Sequence, residues 1–211
     1  MNELETIWDD DRFRISKKTG DSDIVFLCFS GVGMQIGGID IQQEEFNKST
    51  ANATAIFIID NNRLWGNYDW SLLYKIIYPH IVNKRVFSLG NSMGGYCAIL
   101  ASRHFLIEKV IAFVPQYSVH KSIVPLETRW SSQRENIKVW YYISLDGSFN
   151  DKTKYHIFYG NDVQDSVHKE LFPKQDNVII NVYEGDHYLV KDLKDKGLLY
   201  GLISDIVSQD S

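Results

Sequence analysis

The pentapeptide Gly90-Asn91-Ser92-Met93-Gly94 limits what this chain can fold into more than any other stretch. A short β-rich run, Arg85-Val86-Phe87-Ser88-Leu89, leads into it. A run of small, helix-compatible residues, Gly95-Tyr96-Cys97-Ala98-Ile99-Leu100-Ala101, leads out. Gly-x-Ser-x-Gly between a strand and a helix describes a sharp elbow that lifts a serine hydroxyl clear of a sheet. A side chain at Gly90 or Gly94 would collide where strand and helix nearly touch, and the serine itself takes a crowded backbone conformation.

The flanking sequence supplies the rest of a sheet. Apolar runs of strand length cover 24–29, 53–60, 86–89, 110–114, 155–159 and 178–183, and residues 5–17 read as a short hairpin around Asp9-Asp10-Asp11. Runs that are apolar on both faces belong in a parallel sheet covered on each side. Helical segments alternate with them. Asp69 is placed to cap a helix carrying Trp70, Leu73, Tyr74, Ile77 and Ile81; further helices are expected over 94–106, 164–172 and 188–208, the last interrupted near Gly197. The expected fold is α/β: a doubly wound, mostly parallel sheet with helices on both faces, one domain over residues 1–211. The stretch 117–153 breaks the rhythm, with Trp130, Trp140, Tyr141 and Tyr142 set among polar residues. Two readings stand: a small cap inserted over the site, or a helix and surface hairpin whose aromatics join the main core.

Composition narrows the function classes. The 211 residues are 44% hydrophobic and 23% charged, ordinary globular values. A formal net charge of -5 with no basic stripe argues against nucleic acid or an anionic membrane surface as partner. No apolar run reaches the roughly 20 residues that span a bilayer. The acidic start, Met1-Asn2-Glu3-Leu4-Glu5, does not read as a secretory signal, and Cys28 and Cys97 sit in apolar segments as expected of buried free thiols, so a cytoplasmic location is expected. No Cys/His spacing fits a zinc site and no phosphate-binding loop is present, so no metal or cofactor is expected.

A serine hydroxyl becomes a useful nucleophile when a base takes its proton and a carboxylate orients the base. In an elbow architecture the three follow in the order serine, acid, histidine, each just past a strand end. Of six histidines, His187 directly follows the last strand, in Glu184-Gly185-Asp186-His187, and is the candidate base. His120 and His168 are alternatives on the same side. The acid is one of two residues after the fifth long strand: Asp162, closer to the strand end and the first choice, or Asp165, the rival, which could instead cap the following helix. An oxyanion formed on attack would be met by the backbone N–H of Met93, with a second donor from Val32 or Gly31 in the loop Ser30-Gly31-Val32-Gly33. Asp60 ends the second long strand and Trp65 follows it, where a carboxylate could meet a polar substrate group and an indole could stack on a sugar ring. An ordinary turn with one packed tryptophan is the alternative.

With these residues in place, the chain resembles the α/β-hydrolase superfamily across nearly its whole length, its Gly90-Asn91-Ser92-Met93-Gly94-Gly95-Tyr96 matching the elbow common there. Several pieces also resemble a bacterial group associated with surface-polysaccharide loci: Phe29-Ser30-Gly31, Asp60 to Asn67, Val114-Pro115-Gln116-Tyr117-Ser118, Arg129-Trp130 and Asp165-Ser166-Val167-His168. Ser30 stands where many lipases and esterases of the superfamily carry the histidine of a His-Gly pair. The resemblance implies a serine esterase, and Trp65 with the aromatic segment 130–142 points to a small or glycan-linked ester as its substrate. An acyltransferase with the same triad, or a non-catalytic binding module on the same fold, are the alternatives.

Overall fold

The computed structural model describes residues 3–36, 39–50 and 52–209. An eight-stranded sheet runs through it, built from β1 (Glu5–Asp9), β2 (Phe13–Lys18), β3 (Ile24–Phe29), β6 (Thr54–Asp60), β7 (Arg85–Asn91), β8 (Lys109–Phe113), β9 (Lys154–Gly160) and β10 (Val178–Tyr183), in the order β1-β2-β6-β3-β7-β8-β9-β10. The expected 5–17 hairpin is β1 against β2, antiparallel, and β2 also runs antiparallel to β6; from β6 across to β10 every pairing is parallel. Successive strand residues point to opposite faces, and all six residues of β3 and all five of β8 are buried. Both faces of the central sheet are therefore covered, as continuous apolar strands require.

The helices are α1 (Trp70–Ile81), α2 (Met93–Leu100), α3 (Ser131–Arg134), α4 (Val163–Lys169), α5 (Leu189–Asp195) and α6 (Leu199–Ser208). Asp69 caps α1, its side chain accepting from the N–H groups of Ser71 and Leu72. Gly197, at φ +71°, separates α5 from α6. One feature lies outside the sequence reading: a two-stranded antiparallel ribbon, β4 (Met34–Ile36) with β5 (Ile39–Ile41), after the first long strand. Segment 117–153 contains one short helix, α3, and its Tyr117, Val119, Ile137 and Leu145 join the main core while Trp130, Trp140 and Tyr142 pack against it. Lys109, fully buried at the start of β8, donates from Nζ to the carbonyls of Ile206 and Gln209, tying the last helix to the sheet.

Two glycines set the spacing of the loops at the C-terminal edge of the parallel strands. A Cβ on Gly94 would overlap the Phe29 carbonyl and lie 2.9 Å from the carbonyl carbon of Ser30, so α2 begins with its backbone directly on the end of β3. A Cβ on Gly160 would overlap the Gly185 carbonyl and lie 2.9 Å from the Asp186 nitrogen, so the end of β9 touches the loop after β10 in the same way. Gly94→Ala is therefore expected to lower the unfolding free energy by about 3 kcal/mol, the cost of forcing well-packed backbone apart. Gly201→Ala is the contrasting change: in α6, with nothing within 4 Å of the added carbon, it should raise stability by roughly 0.5–1 kcal/mol. Urea midpoints of the two variants read both signs.

Candidate active site

Ser92 stands between β7 and α2 at φ 55° and ψ −121°, a conformation that an L-residue adopts only when its surroundings enforce it. It is 4% exposed. The loop after β10 brings His187 to it, with Nε2 2.9 Å from Ser92 Oγ. On the other side of the ring, Nδ1 lies 3.1 Å from each carboxylate oxygen of Asp165. Three residues from distant parts of the chain thus form one hydrogen-bonded line.

The acid facing the histidine is Asp165, the rival choice, and not Asp162. Asp162 has extended backbone and is the N-cap of α4, its carboxylate accepting from the Gln164 N–H at 3.1 Å. The reason is helical geometry. Asp165 lies in the first turn of α4, one turn further on, where its side chain can reach inward to His187; Asp162, at the strand end, spends its carboxylate on the helix start.

Asp165 has a second partner that the sequence reading did not assign. Arg129, from segment 117–153, donates from Nη1 to Asp165 Oδ1 at 2.8 Å and from Nε and Nη2 to both oxygens of Glu127. Glu127 in turn meets His168 Nε2 at 3.0 Å. Burial alone would raise both carboxyls. At Asp165 the hydrogen bonds and charges of His187 and Arg129 outweigh it and hold the group below the ordinary aspartate range. At Glu127 the bonds from His168 and Arg129 outweigh burial and bring it down to about 2. The ring of Trp130, next in sequence to Arg129, lies 5.4 Å from that of His187 and 6.1 Å from that of Trp65. His168, a possible base in the sequence, is committed to Glu127.

Of the two donors expected from the loop after β3, one is committed elsewhere. The N–H of Gly31 donates to Glu45 Oε1 at 3.0 Å, so this donor is already engaged. Burial lifts the Glu45 carboxyl to about 7 against the pull of that N–H. The Val32 carbonyl accepts from Arg63 Nε at 2.8 Å. Met93 opens α2 directly after the serine, where the first N–H groups of a helix have no intrahelical acceptor. The substrate-contact reading of Asp60 and Trp65 is corrected. Asp60 is 5% exposed and its oxygens accept from the N–H groups of Asn62 and Leu64, shaping the turn; burial lifts its carboxyl to about 6. Trp65 is wholly buried and donates from Nε1 to Gln116 Oε1 at 3.0 Å, so neither side chain presents a free face to a ligand. Gln116 then donates from Nε2 to Ser92 Oγ at 3.1 Å. Gln116, Arg129, Trp130 and His168 all lie in the pieces that carried the narrower resemblance, whereas no spacing rule pointed to Glu45 or Glu127.

At the level of sequence, neither a family model nor a curated protein matches the chain. Solved structures do match its fold. The capsule O-acetyltransferase of Neisseria meningitidis serogroup A aligns with a TM-score of 0.67 at 18% identity, covering 93% of each chain. FphF, a fluorophosphonate-binding serine hydrolase of Staphylococcus aureus, aligns with a TM-score of 0.59 at 14% identity over 96% of this chain and 97% of that one. Acetyl xylan esterase 1 of a Thermoanaerobacterium species aligns with a TM-score of 0.54 at 15% identity over 89% and 78%. The chain has the α/β-hydrolase fold. Among the described residues, no helix is long and apolar enough to cross a membrane, and Cys28 and Cys97 are free and buried.

The buried Glu127 makes a pH prediction. Its carboxyl is lower in the folded chain than in the unfolded one, so it adds stability above the unfolded value, roughly pH 4.3, and that contribution is lost as pH falls toward 2. Asp60 and Glu45, held up at about 6 and 7, act in the opposite sense and favour the folded chain as pH drops from about 7 to 4. The difference in unfolding free energy between wild type and Glu127→Gln isolates the first effect. It should be largest above about pH 5 and close as pH approaches 2, as measured by denaturant titration at a series of pH values.

Proposed function

We propose that this chain is a serine esterase that works through an acyl-enzyme, with Ser92 as nucleophile, His187 as general base and Asp165 as the acid that orients it. The observation that carries the reading is the pair of contacts on one imidazole: 2.9 Å to the serine oxygen and 3.1 Å to the aspartate carboxylate. Ser92 Oγ attacks the ester carbonyl while His187 Nε2 takes its proton, and the Asp165 carboxylate accepts from Nδ1–H and stabilises the imidazolium that results. The N–H of Met93 receives the developing oxyanion at the positive end of α2. Val32 supplies the loop's second donor, since the Gly31 N–H is engaged by Glu45. His187 then returns its proton to the leaving alcohol, and water activated by the same imidazole clears the acyl group.

An acyltransferase is the second reading, favoured by one specific observation. The nucleophile is 4% exposed, with both of its hydrogen-bond partners supplied by the protein, which limits water at the acyl carbon. Two of the matching structures are named for acetyl groups, a capsule O-acetyltransferase and an acetyl xylan esterase, and an O-acetyl ester of a glycan is the substrate class that both readings share. Hydrolysis and transfer separate in one assay. With an activated acetyl ester, an acetylated product that grows with added oligosaccharide at the expense of acetate identifies transfer; acetate alone identifies hydrolysis.

A fluorophosphonate probe is expected to label wild type and leave Ser92→Ala unlabelled. Asp165→Asn should lower turnover by roughly 10⁴-fold, because the imidazole loses the carboxylate that fixes its tautomer. Asp162→Asn should leave turnover within about twofold, since asparagine caps a helix as well as aspartate does. Equal losses from the two aspartate variants, read as kcat on an activated ester, would remove Asp165 from the assignment.

A further inference from the structure

Gln116 is completely buried and its amide is not free to turn. Trp65 Nε1 can only donate, so the atom facing it at 3.0 Å is the amide oxygen, and the amide nitrogen is thereby directed at Ser92 Oγ, 3.1 Å away. The serine has one proton, which it gives to His187 Nε2, so Oγ accepts from Gln116. The backbone holding this line is under stress. Ser92, Trp65 and Val114, the last of these two positions before Gln116, all have positive φ, at 55°, 47° and 40°, and Val114 is β-branched, a residue type for which such a φ is a true outlier. Strain of this kind persists only where the surroundings over-determine it. The surroundings here are specific: the Val114 N–H bonds to the Phe158 carbonyl at 2.7 Å, and the Tyr159 hydroxyl bonds to the Pro115 carbonyl.

Building on the acyl-enzyme reading above, we infer that Gln116 is a catalytic residue acting on the leaving oxygen: its N–H, aimed by Trp65, stabilises Ser92 Oγ as the acyl-enzyme breaks down. In that step water gives a proton to His187 Nε2 and its oxygen bonds to the acyl carbon. The tetrahedral species then collapses, the carbon–Oγ bond breaks with its electron pair going to Oγ, and His187 returns the proton to Oγ, leaving free serine and a carboxylic acid. In the acyl-enzyme Oγ is an ester oxygen and a poor acceptor. As its bond to carbon lengthens it gains charge and becomes a strong one. The Gln116 bond is thus much tighter in the deacylation transition state than in the state before it, which is the condition for acceleration. In acylation the bond already exists on the serine hydroxyl, so the gain there is smaller. A group that merely fills space would affect both halves alike.

The test uses p-nitrophenyl acetate with the full chain and follows both half-reactions by burst kinetics and intact mass. Gln116→Met removes the donor at nearly constant volume. Its acylation rate should stay within about threefold of wild type, while deacylation slows by roughly a hundredfold, the scale of losing one preorganised donor, so that acetyl-enzyme accumulates. Gln116→Leu likewise has no donor and fills a similar volume. It should show the same split, and it carries the test if the methionine variant does not fold. Deacylation within twofold of wild type, or equal losses in both half-reactions, overturns the role of Gln116 while leaving Ser92 as the nucleophile. Absence of both a burst and fluorophosphonate labelling in wild type overturns the acyl-enzyme reading itself, a separate result.

Discussion

Backbone touching backbone, with no side chain between, is the constraint on which the rest of this structure depends. At Gly94 the start of α2 lies against the end of β3, and at Gly160 the end of β9 lies against the loop after β10. The first contact fixes the serine relative to the loop at 30–33. The second fixes the acid relative to the histidine. Because protein interiors transmit small displacements, these two approaches convert the regular spacing of parallel strands into a hydrogen-bonded line whose distances fall in the ordinary range. Burial supplies the energy that holds them; β3 and β8 have no exposed residue.

Segment 117–153 is joined to the site by charge as well as by packing. Arg129 connects Glu127 to Asp165, so the aspartate that faces His187 is shared between α4 and an irregular segment from elsewhere in the chain. An arginine suits this place because its planar fork can serve two carboxylates at once while remaining charged. The arrangement lets two buried acids stay ionised near one another. Each has a cation or a proton donor on it.

The fold was largely legible from the sequence because its strands are buried on both faces and read as unbroken apolar runs, and because Asp69 and Gly197 punctuate the helices where propensity says they should. The ribbon of β4 and β5 was not legible. Its three-residue strands are too short for any periodicity to register. At the site, Ser92 and His187 could be placed by strand order alone. The choice between Asp162 and Asp165 could not, since it turns on which of two residues one helical turn apart becomes the cap. Asp60 and Trp65 misled for a related reason: their position past a strand end was read correctly, but their burial depended on Gln116 and on the turn at 61–64, contacts that sequence spacing does not encode. Glu45 and Glu127 were invisible for the same cause.

Trp65 and Trp130, two of the five tryptophans in the chain, lie against each other, and Trp130 also faces the ring of His187. Indole emission responds to a neighbouring imidazole gaining charge and to the polarity of whatever displaces solvent nearby. The protein therefore carries an intrinsic optical reporter beside His187, and changes at this imidazole can be followed in unlabelled material, without a chromogenic ester and before any reaction product exists.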